Sequence, residues 1–168
     1  SEPGTNSYGG SCGSSSTSAT SASDNTTVIL TQPDNSTALS DASYSNCTIT
    51  ITDSAGNPST ALSVNTFVVD TTAPTVSSTS PTDNQSSVSV SDNISVTFSE
   101  SMNNSTITTR TSTDNTSCSG SLQLSSDSFS SCVQMGSSPS SSDNLTFSVT
   151  PSLKMFYSTT YKIRVTTA

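Results

Sequence analysis

The stretch VVDTTAPTV, residues 68–76, sets the strongest limit on what this chain can fold into. An apolar run ends at Asp70. Pro74 has no amide hydrogen, so a strand ladder cannot continue across it. Before this stretch stands the β-rich segment ITITDSAGNPSTALSVNTF, and after it SVSVSDNISVTFSESM. Two β-units joined by a short proline-bearing link fit that order. The expected units are residues 1–72 and 73–168.

The apolar residues elsewhere are few but placed with period two. In SNCTITIT, Cys47, Ile49 and Ile51 fall on one face and Thr48 and Thr50 on the other. The inward sets of later segments are Ile94, Val96 and Phe98; Leu122 and Leu124; Leu145, Phe147 and Val149; and Tyr161, Ile163 and Val165. That last set leaves Lys162 and Arg164 facing water. Val88 and Val90 in SSVSV read the same way, and VILT (28–31) and NTFVVD (65–70) read as less regular strands. Turn signals such as QPDNST, DSAGNPS and SSPSSSDN separate them. Sustained helical periodicity is absent, and MNNSTI (102–107) forms at most one helical turn. Short strands at this spacing predict all-β sandwiches.

Composition enters as a test of that reading. Ser and Thr make up about 44% of the chain, far above average usage. Only 10% of residues are charged and 29% hydrophobic, with no Trp and no His. Such a composition suits a disordered or mucin-like tract. The alternation argues for folded structure from about residue 25 onward, with residues 13–23 the expected mobile loop. Net charge is −8. The four bases are Arg110, Lys154, Lys162 and Arg164, and residues 1–84 carry acids without a base. Nothing there neutralises phosphates, so neither nucleic acid nor an anionic membrane surface is an expected partner. Without an apolar run near 18 residues, no membrane-inserted helix is expected.

Cys12, Cys47, Cys118 and Cys132 form an even set with no CxxC pair. This favours two disulfides in an oxidising compartment over zinc. Three pairings exist. The boundary near Pro74 favours Cys12–Cys47 and Cys118–Cys132.

These residues resemble bacterial immunoglobulin-like (Big) repeats. The second half, from TTAPTVSSTSP through ISVTFSESMN to TYKIRVTTA, is similar to the subfamily with a "vtFSe-M" strand. Cys118 and Cys132 lie where a variant of that subfamily has a local disulfide. The first half resembles a second repeat type through GGSCGSSST, YSNCTITITDSAGNPSTALSV and FVVDTTAP. The resemblance implies tandem extracellular β-sandwiches of surface proteins, adhesins or fibres, without catalysis. It also implies that each sandwich lacks an outer strand within this chain. Either an adjoining part of a longer tandem protein or a neighbouring identical subunit then supplies it.

The same resemblance implies calcium at Asp53 and Asp70, which match junction positions that bind the ion in related adhesins. The competing reading is that Asp53 shapes a turn and Asp70 caps a strand. No other cofactor is implied. Asparagine sequons begin at Asn25, Asn35, Asn46, Asn84, Asn93, Asn103, Asn104, Asn115 and Asn144. Asn25, Asn46, Asn93 and Asn144 are the candidate glycan sites, against a bare hydroxyl surface.

Catalysis has little support. Without His there is no Ser-His-Asp or Cys-His arrangement. Glu100 in FSESM has no matching acid placed opposite it for glycosidase chemistry. A Lys–Asn isopeptide bond needs a buried Lys, and only Lys154 and Lys162 exist. The expected role is a non-catalytic, secreted structural repeat whose partners are neighbouring repeats or identical subunits. One alternative is a fibre subunit assembled by strand exchange. Another is a carbohydrate-binding or adhesive module using Tyr8, Tyr44 or Tyr157 against a glycan or surface ligand. A third is an accessory domain of a secreted hydrolase.

Overall fold

The computed structural model describes residues 4–14, 29–113 and 117–166. The expected loop at residues 13–23 falls largely outside them. The chain divides into two compact units, Ser1–Thr72 and Ala73–Ala168. All regular structure among the described residues is β-strand.

The first unit contains β1 (Gly4–Gly9), β2 (Gly13–Ser14), β3 (Leu30–Thr31), β4 (Ala42–Tyr44), β5 (Thr48–Asp53), β6 (Leu62–Ser63) and β7 (Phe67–Val69). β5 lies between β1 and β6, all antiparallel, while β2–β3 and β4–β7 form two small ladders. Register places Asn6 opposite Ile51, Tyr8 opposite Ile49, and Leu62 opposite Ile49. Directly opposed residues point to the same side, so these five share one face. Thr48, Thr50 and Thr52 make the other.

The first core is small. Cys12, Tyr44 and Cys47 are buried, ringed by half-buried Leu30, Leu39, Val64, Phe67 and Val69. The Tyr44 ring stacks on Phe67 with centroids 5.3 Å apart. Its hydroxyl donates back to the Ser40 carbonyl at 2.9 Å, a device known from corners of β-sandwiches. Cys12 and Cys47 are bonded. The chain reaches Cys12 through Gly10, at φ 73°, where any Cβ would collide with the Asn46 carbonyl 2.0 Å away. Only glycine lets the two cysteine-bearing segments come this close.

The second unit contains β8 (Val76–Ser80), β9 (Ile94–Phe98), β10 (Leu122–Ser125), β11 (Thr146–Val149) and β12 (Lys162–Val165). β9 lies between β11 and β8, and β10 pairs with β12, all antiparallel. One cluster joins both sheets. Ile94, Val96, Phe98, Phe147 and Val149 come from the first sheet. Leu122 and Leu124 come from the second, and Ile107, Met135 and Met155 from loops. Burying each large apolar side chain contributes about 1.5–3 kcal/mol. Phe98 and Phe147 meet edge to face at 5.9 Å.

Two strand expectations change. Residues 88–90 form no strand, although Val90 still packs against the core. Their backbone is taken into a turn, where the Asp92 amide donates to the Ser89 carbonyl at 3.1 Å. Arg164 does not face water. It is half-buried, donates from Nε to Gln123 Oε1 at 2.9 Å, and lies 4.0 Å over the Phe129 ring. A guanidinium is planar and weakly hydrated, so it stacks where a lysine would not. Lys162 is exposed, as its position in the alternation predicts. Residues 102–107 make only a turn, closed by the Thr106 amide donating to the Asn103 carbonyl.

Candidate functional site

Each unit carries its own covalent closure. Cys12–Cys47 joins positions 35 residues apart, and Cys118–Cys132 joins positions 14 apart. Behind the second bond lies a polar cluster that alternation does not reveal. Arg110 is buried and donates from Nη1 to the Cys132 carbonyl at 2.6 Å. Gln123, on β10, accepts from Arg164 and donates to the Gly120 carbonyl at 2.7 Å. Gly120, at φ 83°, passes 2.6 Å from Thr109 Cα at the point a Cβ would occupy. Buried polar groups require such partners. Their only sequence signal is that Gln123 interrupts the apolar pair of SLQL.

The two carboxylates proposed for calcium are not brought together. Asp53 ends β5, while Asp70 follows β7 in a different sheet. Asp53 Oδ1 accepts the amides of Ala55 and Asn57 at 2.9 and 2.8 Å, and Oδ2 accepts Asn57 Nδ2. These bonds, the Asn57 side chain first, hold its carboxyl below the ordinary range. Asp70 Oδ1 accepts the Thr72 amide at 3.0 Å. Calcium takes six to eight oxygens. Among the described residues no group of three His, Cys, Asp or Glu is placed to hold a metal. Among the described residues, Asp53 and Asp70 therefore do not by themselves supply the oxygen set the ion takes.

Asp41, which sequence reasoning missed, has a clearer task. Its Oδ1 accepts the Thr71 hydroxyl at 2.7 Å and amide at 3.0 Å, and its Oδ2 accepts the Thr72 hydroxyl at 3.0 Å. The Thr71 bonds are the main cause of its lowered pKa. Asp41 therefore fixes the segment that leaves β7. On the other side, the Thr75 amide donates to Ser99 Oγ at 2.9 Å, and the Ser99 amide returns a bond to the Thr75 carbonyl. Ala73 and Pro74 lie between these two anchors. No local sequence signal marks it, because Asp41 meets this segment only through the long-range pairing of Ala42 with Val69, which brings the next residues out beside one another.

The sequons differ in freedom. Asn46 Oδ1 accepts the Ser11 amide, and Asn93 Oδ1 accepts the Thr150 hydroxyl. Asn144 is exposed at positive φ. Asn25 and Asn115 lie outside the described residues.

The tyrosines also separate. Tyr44 is in the core and Tyr8 is half-buried, whereas Tyr157 is 82% exposed. Tyr157 is accompanied by Leu153, 79% exposed, and Phe156, 76% exposed. Neither was singled out by alternation, because this loop has none. Its backbone is nonetheless fixed. Met155 is buried and its amide donates to the Val90 carbonyl at 2.8 Å; the Phe156 amide donates to the Tyr161 hydroxyl at 3.0 Å. Glu100 is half-buried, with Oε1 unbonded among the described residues.

A family model described as bacterial Ig-like domain matches residues 70–168. No curated protein matches the chain, and no solved structure does.

Proposed function

The chain belongs to the bacterial Ig-like domain family through residues 70–168, and from that premise we propose that it is a non-catalytic structural repeat of an extracellular bacterial stalk, adhesin or filament. The observation that carries this reading is one disulfide in each compact unit. Such bonds persist outside the cytoplasm and stabilise domains with small cores. A spacer also needs a short, stiff link. Asp41 and Ser99 anchor the chain on either side of Ala73 and Pro74, and proline fixes its own φ. The first unit, on this reading, is a repeat of a second immunoglobulin-like type. No described helix is long and apolar enough to cross a membrane.

Immunogold labelling of intact source cells tests the proposal. Gold on the envelope or on filaments is expected, and gold confined to the cytoplasm of sectioned cells would overturn it.

Strand exchange between subunits is a second reading. It rests on β12, which among the described residues belongs to a two-stranded sheet and pairs with β10 alone. The native polypeptide on a reducing, denaturing gel separates the two. A band near 17.1 kDa favours exchange, and a band several times larger favours one tandem chain.

A further inference from the structure

Two surfaces of this chain are apolar, exposed and opposite in charge. The first is the loop at residues 153–157. Leu153, Phe156 and Tyr157 are each more than three-quarters exposed, and exposed Lys154 lies among them. Buried Met155 and the Phe156–Tyr161 hydrogen bond hold the loop in place, so the display requires little ordering on contact. The second is the face of the β1–β5–β6 sheet that carries Tyr8, Ile49, Ile51 and Leu62. The small core of the first unit leaves Leu62 67% and Ile51 44% exposed. By strand alternation Asp53 shares this face at its end.

From these we infer that the 153–157 loop of one copy docks on the Ile51–Leu62 sheet face of a second copy, with Lys154 beside Asp53. The occupant follows from charge. The loop contributes one of only four bases in a chain of net charge −8, and the segment bearing the sheet face has no base at all. Two different patches on one chain make a heterologous contact, which propagates head to tail unless its rotation closes a ring. Three loop side chains fall short of the roughly 800 Å² per partner of a stable interface. The contact is therefore weak between free chains. It becomes strong in an array, where effective concentrations reach about millimolar. This rests on the structural role proposed above, though immunogold labelling tests that role separately.

Sedimentation of the full chain, from about 10 µM to about 1 mM, is the test. Wild type should show a mass that rises with concentration without settling at a dimer, and about 0.5 M salt should weaken the rise, since it shortens screening to a few ångströms. Two variants strip one patch each: Leu153→Ser/Phe156→Ser/Tyr157→Ser, and Ile51→Thr/Leu62→Ser. Each alone should stay monomeric with unchanged circular dichroism. Mixed, they should form dimers and nothing larger, because one intact loop meets one intact face. A monomeric wild type at 1 mM overturns the inference, as does self-association by either variant alone or failure of the mixture to dimerise. Binding of a monomeric wild type to purified peptidoglycan or to phosphatidylglycerol vesicles, lost with the loop variant, would assign the loop another occupant and equally overturn it.

Discussion

Among the described residues, the second unit buries eleven apolar side chains, from both of its sheets and from loops, while the first buries three, of which two are the halves of its disulfide. The comparison shows what carries stability when apolar residues are scarce. In the second unit, Ile94, Val96 and Phe98 alternate with Ser95 and Thr97, and the inward set meets Phe147, Leu122 and Leu124. Packing holds that unit and the disulfide is an addition. In the first, Ile49 and Ile51 alternate as regularly but find too little opposite them, and Ile51 remains exposed. There the covalent bond is a large share of the core.

Removing the disulfides should break the comparison most sharply. A loop of 35 residues constrains the unfolded chain by about 4 kcal/mol, and one of 14 by about 3 kcal/mol. Cys12→Ser/Cys47→Ser should abolish cooperative folding of the first unit and leave the second intact. Cys118→Ser/Cys132→Ser should lower the second transition without removing it. Calorimetry of both variants checks this, and survival of two transitions in the first variant would sink the claim.

Core truncation should show the opposite asymmetry. Phe147→Ala should cost the second unit about 3–5 kcal/mol, since the ring is fully enclosed. Phe67→Ala should cost the first unit only about 1–2 kcal/mol, because Phe67 is half-buried and loses mainly its contact with Tyr44. Urea midpoints for each unit measure the difference. Equal losses would mean that the first core is better packed than its burial indicates.

Acid should give the smallest effect. Asp34 and Asp127 are each held at about 2, against an ordinary 3.8. Thr37 is the chief cause at Asp34 and Ser131 at Asp127. A carboxylate lowered on folding contributes stability that is present above pH 4 and lost as pH falls toward about 2. Asp41, Asp53 and Asp143 are shifted the same way. Three of these five acids lie in the thin unit, so its melting temperature should fall further over this range than that of the other. A scan from pH 5 to pH 2 that lowers both transitions by equal amounts would contradict this.

Much of the strand pattern was legible in the residues. β9, β11 and β12 follow their alternation because side chains on a pleated backbone must alternate between faces. The all-β class followed from those segments, and two disulfides followed from an even cysteine set without CxxC spacing. Tyr44 stands outside any alternating run, so the residues alone make it a candidate surface tyrosine, whereas it is buried. Its burial depends on Phe67, 23 positions away in the chain and opposite it in the β4–β7 ladder. Alternation puts Arg164 on the solvent side because it gives only a direction. Gln123 and Phe129 gave that direction a partner.

Local chemistry thus determined many of the strands and turns, since both depend on neighbours a few residues apart, though it did not stop Val88 and Val90 from reading as a strand. Tertiary structure alone decided which inward faces find a partner. It closed the Ile94–Phe98 face under a second sheet, left Ile51 and Leu62 open, buried Arg110, and exposed Leu153, Phe156 and Tyr157 on a fixed loop. Burial is a property of what lies opposite a side chain, and that is set by long-range pairing.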